Sequence, residues 1–232
     1  MLELFPQGFE ELDHQDGVEL VAYTDAAGEE RLWAAFGEVA AEDVDAGWEE
    51  RWREFHRPVR IGRLWVGPPW EEPPPDVDAV VVDPGRAFGT GGHATTRLCL
   101  RLLAELEGGS LLDVGCGSGV LAISGARLGF EPVIALDHES AAVEATQRNA
   151  EANGVAVETR RAHALVDQLP AADVAVANIS ADSVQRLLPR LDAATVVTSG
   201  YLERDSPVGQ GLRHERRLTD SGWAADVFRR EE

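Results

Sequence analysis

The sequence predicts an α/β chain: a mostly parallel sheet closed by an antiparallel hairpin, with a small α+β domain in front. Three observations carry the prediction. Short apolar runs at 79–83, 111–114, 132–137, 173–178 and 194–199 alternate with stretches of helical periodicity, the pattern of strand–helix–strand units. Leu111 to Ile123 reads as a buried strand, a glycine turn and the opening of a helix, the arrangement by which such sheets present backbone N–H groups to a ligand. Two final runs, Leu212–Leu218 and Trp223–Phe228, flank Asp220-Ser221-Gly222 and read as the closing hairpin.

The glycine turn limits what is bound. Gly115, Gly117 and Gly119 stand on alternate positions, whereas a dinucleotide fingerprint has the spacing G-x-G-x-x-G and would need glycine where Val120 stands. A P-loop needs a Gly-Lys-Ser/Thr run, and the chain has no lysine. The turn therefore suits a nucleoside-like ligand while lacking both phosphate signatures. Ser118 is placed to cap the helix that Val120, Leu121 and Ile123 open. The next apolar strand ends in Asp137, eighteen residues after Gly119. A carboxylate there can accept both hydroxyls of a ribose, or else serve as a helix N-terminal charge ahead of 139–152.

Composition narrows the partners. The 232 residues fit one large domain with a small appendage. Forty-one acidic residues face 21 basic ones, giving a net charge of −20. Direct binding to nucleic acid is therefore not expected, and a basic protein partner is. Cys99 and Cys116 form no Cys-x-x-Cys or Cys/His cluster, so no metal site is expected. The opening residues lack a basic, apolar leader, and no run approaches the roughly 18 apolar residues of a membrane span. A cytoplasmic monomer without membrane association is expected.

In order, 1–41 reads as the small N-terminal domain, with strands at Val18–Tyr23 and Arg31–Phe36. Residues 42–78 read as a linker region: a helix over 42–56 with Val44, Trp48, Trp52 and Phe55 on one face, a strand Arg63–Val66, and a stiff stretch carrying Pro68, Pro69 and Pro73–Pro75. Residues 79–232 form the large domain. Its first strand runs into a loop, Asp83–Thr96, with glycines at 85, 89, 91 and 92. Thr95 and Thr96 then open a helix with Leu98, Leu102 and Leu106 on its apolar face, and free N–H groups at that start suit a carboxylate. An Ω-like surface loop is the alternative. Residues 155–172 give a third strand and a loop. The fourth strand, 173–178, delivers Asn178 to the carboxyl edge of the sheet, with a helix N-cap as its alternative role. Residues 205–211 are too short and broken for a good helix.

Two motifs resemble a known family. Asp113-x-Gly115-x-Gly117-x-Gly119 resembles motif I of class I S-adenosylmethionine-dependent methyltransferases. The stretch Asp83-Pro-Gly-x-Ala-Phe-Gly-Thr-Gly through His93, Thr95 and Thr96 resembles the signature of PrmA-type ribosomal protein methyltransferases, which modify a large-subunit ribosomal protein. The similarity continues through Asn149–Val155, Val176–Ile179 and Ser199–Leu202, and upstream through Gly47–Trp52 and His56–Pro58.

The resemblance implies a Rossmann-like class I methyltransferase domain and S-adenosyl-L-methionine as cofactor. It implies that Thr96, Asp113, Gly115, Gly117, Asp137 and Asn178 hold that cofactor. Asn178 is then the catalytic residue, accepting hydrogen bonds from an amine of lysine or a chain N-terminus on the ribosomal protein. His93 lines the substrate entrance or is structural. Residues 1–41 are then a shortened substrate-recognition domain. Two other readings stay open: a methyltransferase of the same fold acting on another protein or a small-molecule amine, and a non-catalytic cofactor-binding module.

Overall fold

The computed structural model describes residues 10–14, 17–22, 24, 26–37, 39–40, 57–83 and 92–231. The chain divides into two compact units, Met1–Glu54 and Phe55–Glu232. In the first, β1 (Glu10–His14) pairs antiparallel with β2 (Gly17–Val21), with Glu10 opposite Val21 and His14 opposite Gly17. A helix, α1 (Ala26–Phe36), follows. This corrects the strand expected at Arg31–Phe36. The segment is continuous with Ala26-Ala27-Gly28-Glu29-Glu30, and alanine, glutamate, arginine and leucine favour a helix over the whole span. The helix expected over 42–56 lies outside the described residues.

The second unit begins with a three-stranded sheet. β3 (Val59–Ile61) runs antiparallel to β4 (Leu64–Gly67), which runs parallel to β5 (Asp78–Val81). The proline-rich stretch 68–75 connects β4 to β5, two neighbours in one sheet. Leu64, Val66, Val80 and Val82 bury against the helices that follow.

The main sheet has seven strands in the order β11-β12-β10-β9-β6-β7-β8. Its parallel part comprises β6 (Leu111–Val114), β7 (Val133–Asp137), β8 (Glu158–Arg161), β9 (Ala172–Asn178) and β10 (Ala193–Leu202). β12 (Trp223–Arg230) runs antiparallel between β10 and the edge strand β11 (Leu212–Asp220). The central strands β6 and β9 are covered on both faces, which is why they read as unbroken apolar runs rather than alternating ones. One face buries Leu98, Leu102, Val120, Ile123 and Val176 beneath α2 (Ala94–Leu103) and α3 (Val120–Arg127). The opposite face buries Leu112, Ala175, Val196 and Phe228 with Val184, Leu187 and Leu188 of α5 (Ala181–Leu187) and the 3-10 turn after it. The remaining helix, α4 (Ser140–Asn153), connects β7 to β8 and ends at Gly154 with φ of 63°.

From β6 the chain winds out through β7 to β8, then returns to the other side of β6 as β9. Such a reversal leaves a crevice outside the carboxyl ends of β6 and β9, where α/β sheets of this kind take their ligands. The glycine turn, Asp137 and Asn178 all lie at that edge.

Candidate functional site

The turn Gly115–Gly119 is fixed from beneath. The N–H groups of Gly115 and Cys116 both donate to Leu136 O, at 2.8 and 3.0 Å. The Thr146 hydroxyl of α4 lies 3.1 Å from Gly117 O and 3.2 Å from Cys116 Sγ. Gly115 has φ of 77°, and a Cβ there would sit 2.6 Å from Ile179 Cγ2, so only glycine lets the turn lie against the end of β9. Gly119, with a left-handed φ of 82°, takes the N-cap position expected of Ser118. Ser118 is fully buried, and its hydroxyl reaches the Val120 amide only at 3.4 Å.

Asp137 ends β7 and is nearly buried. Its Oδ2 accepts from Gly117 N at 3.2 Å and its Oδ1 from Glu139 N at 3.0 Å. The carboxylate thus ties the glycine turn to the start of α4. An ionised carboxylate has about four acceptor positions, so these two amides leave it capacity for further donors. Asp113, on β6, is buried too. Its Oδ2 accepts from Ala122 N at 3.0 Å, closing the first turn of α3. Burial pushes the Asp113 carboxyl up to about 7; the Ala122 hydrogen bond works against this, and the nearby Asp137 adds to it.

Thr96 and Asn178 arrive from opposite directions. Thr96 is in the first turn of α2 and is fully buried; Asn178 is the last residue of β9. The Asn178 Nδ2 donates to Thr96 Oγ1 at 3.3 Å. No donor among the described residues is paired with Asn178 Oδ1, so the amide oxygen is the acceptor that remains. The backbone after Asn178 is held by β10: Ile179 N donates to Ser199 O at 3.0 Å. Gly200, with φ of 98°, makes this approach possible, since a Cβ there would run into the Ile179 backbone.

His93 caps α2, accepting from Thr95 N at 3.4 Å, with its Nδ1 also 2.8 Å from Thr95 Oγ1. Its ring meets Trp223 edge-on at 4.9 Å. Burial, reinforced by Arg97, lowers the His93 pKa and so favours the neutral imidazole. Arg97 in turn donates to Asp220 Oδ2 at 2.7 Å and to the Gly92 carbonyl. The turn of the closing hairpin therefore steadies the helix that carries Thr96. Residues 84–91 of the glycine-rich loop lie outside the described residues. Among the described residues no cluster of His, Cys, Asp and Glu is arranged to hold a metal ion, and no helix is long and apolar enough to cross a membrane.

Sequence reasoning missed a support beneath the site. Asn149 Nδ2 donates to Ser118 O at 2.9 Å, while its Oδ1 accepts from Asp83 N at 3.2 Å. Asn153 brackets Val81, accepting from its amide at 2.8 Å and donating to its carbonyl at 2.7 Å. These side chains hold the exit of β5, and hence the start of the glycine-rich loop, against the glycine turn. The available signal was the spacing Thr146, Asn149, Asn153, a polar stripe at i, i+3 and i+7 on a helix rich in alanine. Replacing Asn149 by alanine removes its bonds to Ser118 O and Asp83 N. The expected loss is about 1–3 kcal/mol, read from the denaturant midpoint at unchanged slope.

A family model described as ribosomal protein L11 methyltransferase (PrmA) matches residues 11–230. A protein of Pelobacter propionicus named ribosomal protein L11 methyltransferase is 40% identical over 205 residues, covering 79% of this chain and 66% of its own length. A relative of the same name from Legionella pneumophila (strain Paris) is 43% identical over 202 residues, covering 80% of this chain and 69% of its own. The chain thus spans about two thirds of the length of these relatives. Among solved structures, ribosomal protein L11 methylase from Lactobacillus delbrueckii subsp. bulgaricus superposes with a TM-score of 0.65 at 25% identity, over 76% of this chain and all of that one. The match to the family model runs through the glycine turn, Asn178 and the closing hairpin, and the chain belongs to the ribosomal protein L11 methyltransferase (PrmA) family.

Proposed function

We propose that this protein transfers methyl groups from S-adenosyl-L-methionine to amino groups of ribosomal protein L11, on lysine side chains and at the chain N-terminus. The observation that carries the reading is the Asn178–Thr96 pair, which takes up the amide nitrogen at the carboxyl edge of the sheet and leaves the amide oxygen as the acceptor. The relatives' names supply the protein substrate, and the net charge of −20 suits a basic one.

The site fits the cofactor by its donor set. The left-handed glycines at 115 and 117 open a surface free of side chains, Asp137 retains acceptor capacity for the ribose, and Thr96 lies at a helix start suited to a carboxylate. Asp113 orders the turn by holding α3. When bound, S-adenosylmethionine supplies an electrophilic methyl group on a sulfonium.

The chain's own residues have three tasks. They bind, exclude water and align a nucleophile, since methyl transfer of this kind asks for little covalent help from the protein. The ammonium first gives up a proton to solvent, because only the neutral amine has a lone pair to offer. Asn178 Oδ1 then accepts one N–H of the neutral amine, which turns the nitrogen lone pair toward the crevice. Thr96, by holding Nδ2, prevents the amide from rotating away. Residues 1–41 serve as the recognition domain for the protein substrate, and 79–232 as the transfer domain.

Incubation with labelled S-adenosylmethionine and purified L11 is the test. Label on L11 amines, located by peptide mass spectrometry, is the expected result. Cofactor binding without label on L11 overturns the substrate and leaves other protein or small-molecule amines to be tried.

A further inference from the structure

Asp113 has one oxygen without a use. The residue is 1% exposed, and while Oδ2 accepts from Ala122 N, Oδ1 has no hydrogen-bond partner. The titratable groups that face it offer no counter-ion. Cys99 from α2 and Cys116 from the glycine turn are buried thiols, both raised by burial and by Asp113 itself, and so neutral. Asp137 from β7 carries the same sign as Asp113. On α3, Ser124 is buried and its hydroxyl likewise has no partner. From β9, the residue paired with Asp113 is Val176, which has no charge to give. Buried charges are paired or they neutralise.

We propose that Asp113 is a neutral carboxylic acid in the free protein and that it releases its proton to solvent when S-adenosylmethionine seats on the glycine turn. The inference rests on the cofactor reading above. The cofactor brings in one net positive charge, and one proton leaves, so the buried site keeps its charge. The bond broken is O–H at Asp113, and solvent buffer takes the proton. The incoming positive charge offsets the charge of the new carboxylate. Asp113 is then a positioning residue: as a carboxylate it grips the Ala122 amide more strongly, which tightens the start of α3 once the cofactor is bound.

Protonated Asp113 must give up its proton for tight binding, so affinity rises with pH through the range where the free acid ionises and levels off above it. With the free acid near 7, the affinity gain from pH 6 to pH 8 is about tenfold. S-adenosylhomocysteine has no sulfonium charge, so its affinity is expected to change less over that range.

Calorimetric titration of the full chain at pH 6, in buffers of different ionisation heat, counts the protons. Close to one proton released per S-adenosylmethionine, and fewer with S-adenosylhomocysteine, is expected. Asp113→Asn is expected to abolish the release and flatten the pH profile. His138→Gln is the control, because His138 Nδ1 lies 3.3 Å from Asp137 Oδ1 and is the nearest imidazole to the ribose acid. Release that survives Asp113→Asn, or vanishes in His138→Gln, overturns the proposal. A second measurement needs no variant. Infrared titration of the free wild-type protein should reveal a neutral carboxyl that ionises near pH 7, and its absence would also overturn the proposal. That neutral carboxyl without any binding heat from either ligand would instead mark failure of the cofactor reading.

Discussion

Replacing Asp226 with alanine is expected to remove about 3–5 kcal/mol of stability, the cost of breaking a buried charge pair from one side. Asp226 lies on β12 and is wholly buried. Arg217 binds it in a fork, Nε to Oδ1 at 2.8 Å and Nη2 to Oδ2 at 2.7 Å. His214 Nε2 lies 2.7 Å from Oδ1, and the Tyr201 hydroxyl donates to Oδ2 at 2.8 Å. Without the carboxylate, a partly buried guanidinium loses its counter-ion. Arg217 also donates to Glu203 O and Asp205 O, at 2.9 and 2.8 Å, so the damage reaches the chain leaving β10. For a chain of this size the fall in melting temperature is roughly 6–20 °C. Asp226→Asn keeps the shape and one acceptor oxygen but removes the charge, and should cost less.

The pH dependence gives this prediction a sign. Burial alone would raise the Asp226 pKa, but hydrogen bonds from Arg217, His214 and Tyr201 outweigh it and hold the group below the usual carboxylate range. The stabilisation is therefore complete above the unfolded-state value of about 3.9 and is lost as pH falls through the lower folded-state value. The stability gap between wild type and Asp226→Asn should shrink on acidification below about pH 4. A gap that is constant from pH 7 to pH 3 would mean that the carboxylate is not the stabilising form.

Much of this architecture is legible in the residues because burial on two faces leaves a plain mark. β6 and β9 show continuous apolar runs, and the glycine turn between β6 and α3 has a spacing few other structures require. The hairpin is legible because Asp220-Ser221-Gly222 is a turn sequence between two strand-length runs, and both Ser221 and Gly222 take positive φ. Six residues at 31–36 were too few to separate the two periods, and the alanines upstream decided for a helix.

Long-range polar contacts are the illegible part. Thr96 and Asn178 each stand out in sequence, but 82 positions separate them and no local pattern joins them. Asn153 and Val81 are 72 positions apart, and Asn149 and Asp83 are 66 apart. Asp226 sits within the alternation of an ordinary strand, so its burial and its three partners appear only once β10, β11 and β12 are laid side by side. Buried polar groups must be satisfied, but composition alone does not say by which partner.

Asn178→Ala is expected to reduce the turnover number about 100- to 1,000-fold, some 2.7–4 kcal/mol of barrier, the effect typical of removing one preorganised polar group from a reacting centre. On the reading above, Oδ1 aligns the acceptor amine rather than the cofactor, so the Kd for S-adenosylmethionine should move little. The loss then falls on the turnover number more than on cofactor binding. Thr96→Val separates orientation from contact. It keeps the size of the side chain but removes the oxygen that holds Asn178 Nδ2. The amide is then free to rotate, and a smaller loss of about tenfold, or 1.4 kcal/mol, is expected because the oxygen still spends part of its time in place. In the double variant the two losses in turnover number should not add, since Thr96 acts on the amine only through Asn178. Additive losses would give Thr96 a separate part in the transfer step. An Asn178→Ala enzyme with its full turnover number would remove Asn178 from the reaction and move the alignment of the amine elsewhere in the crevice.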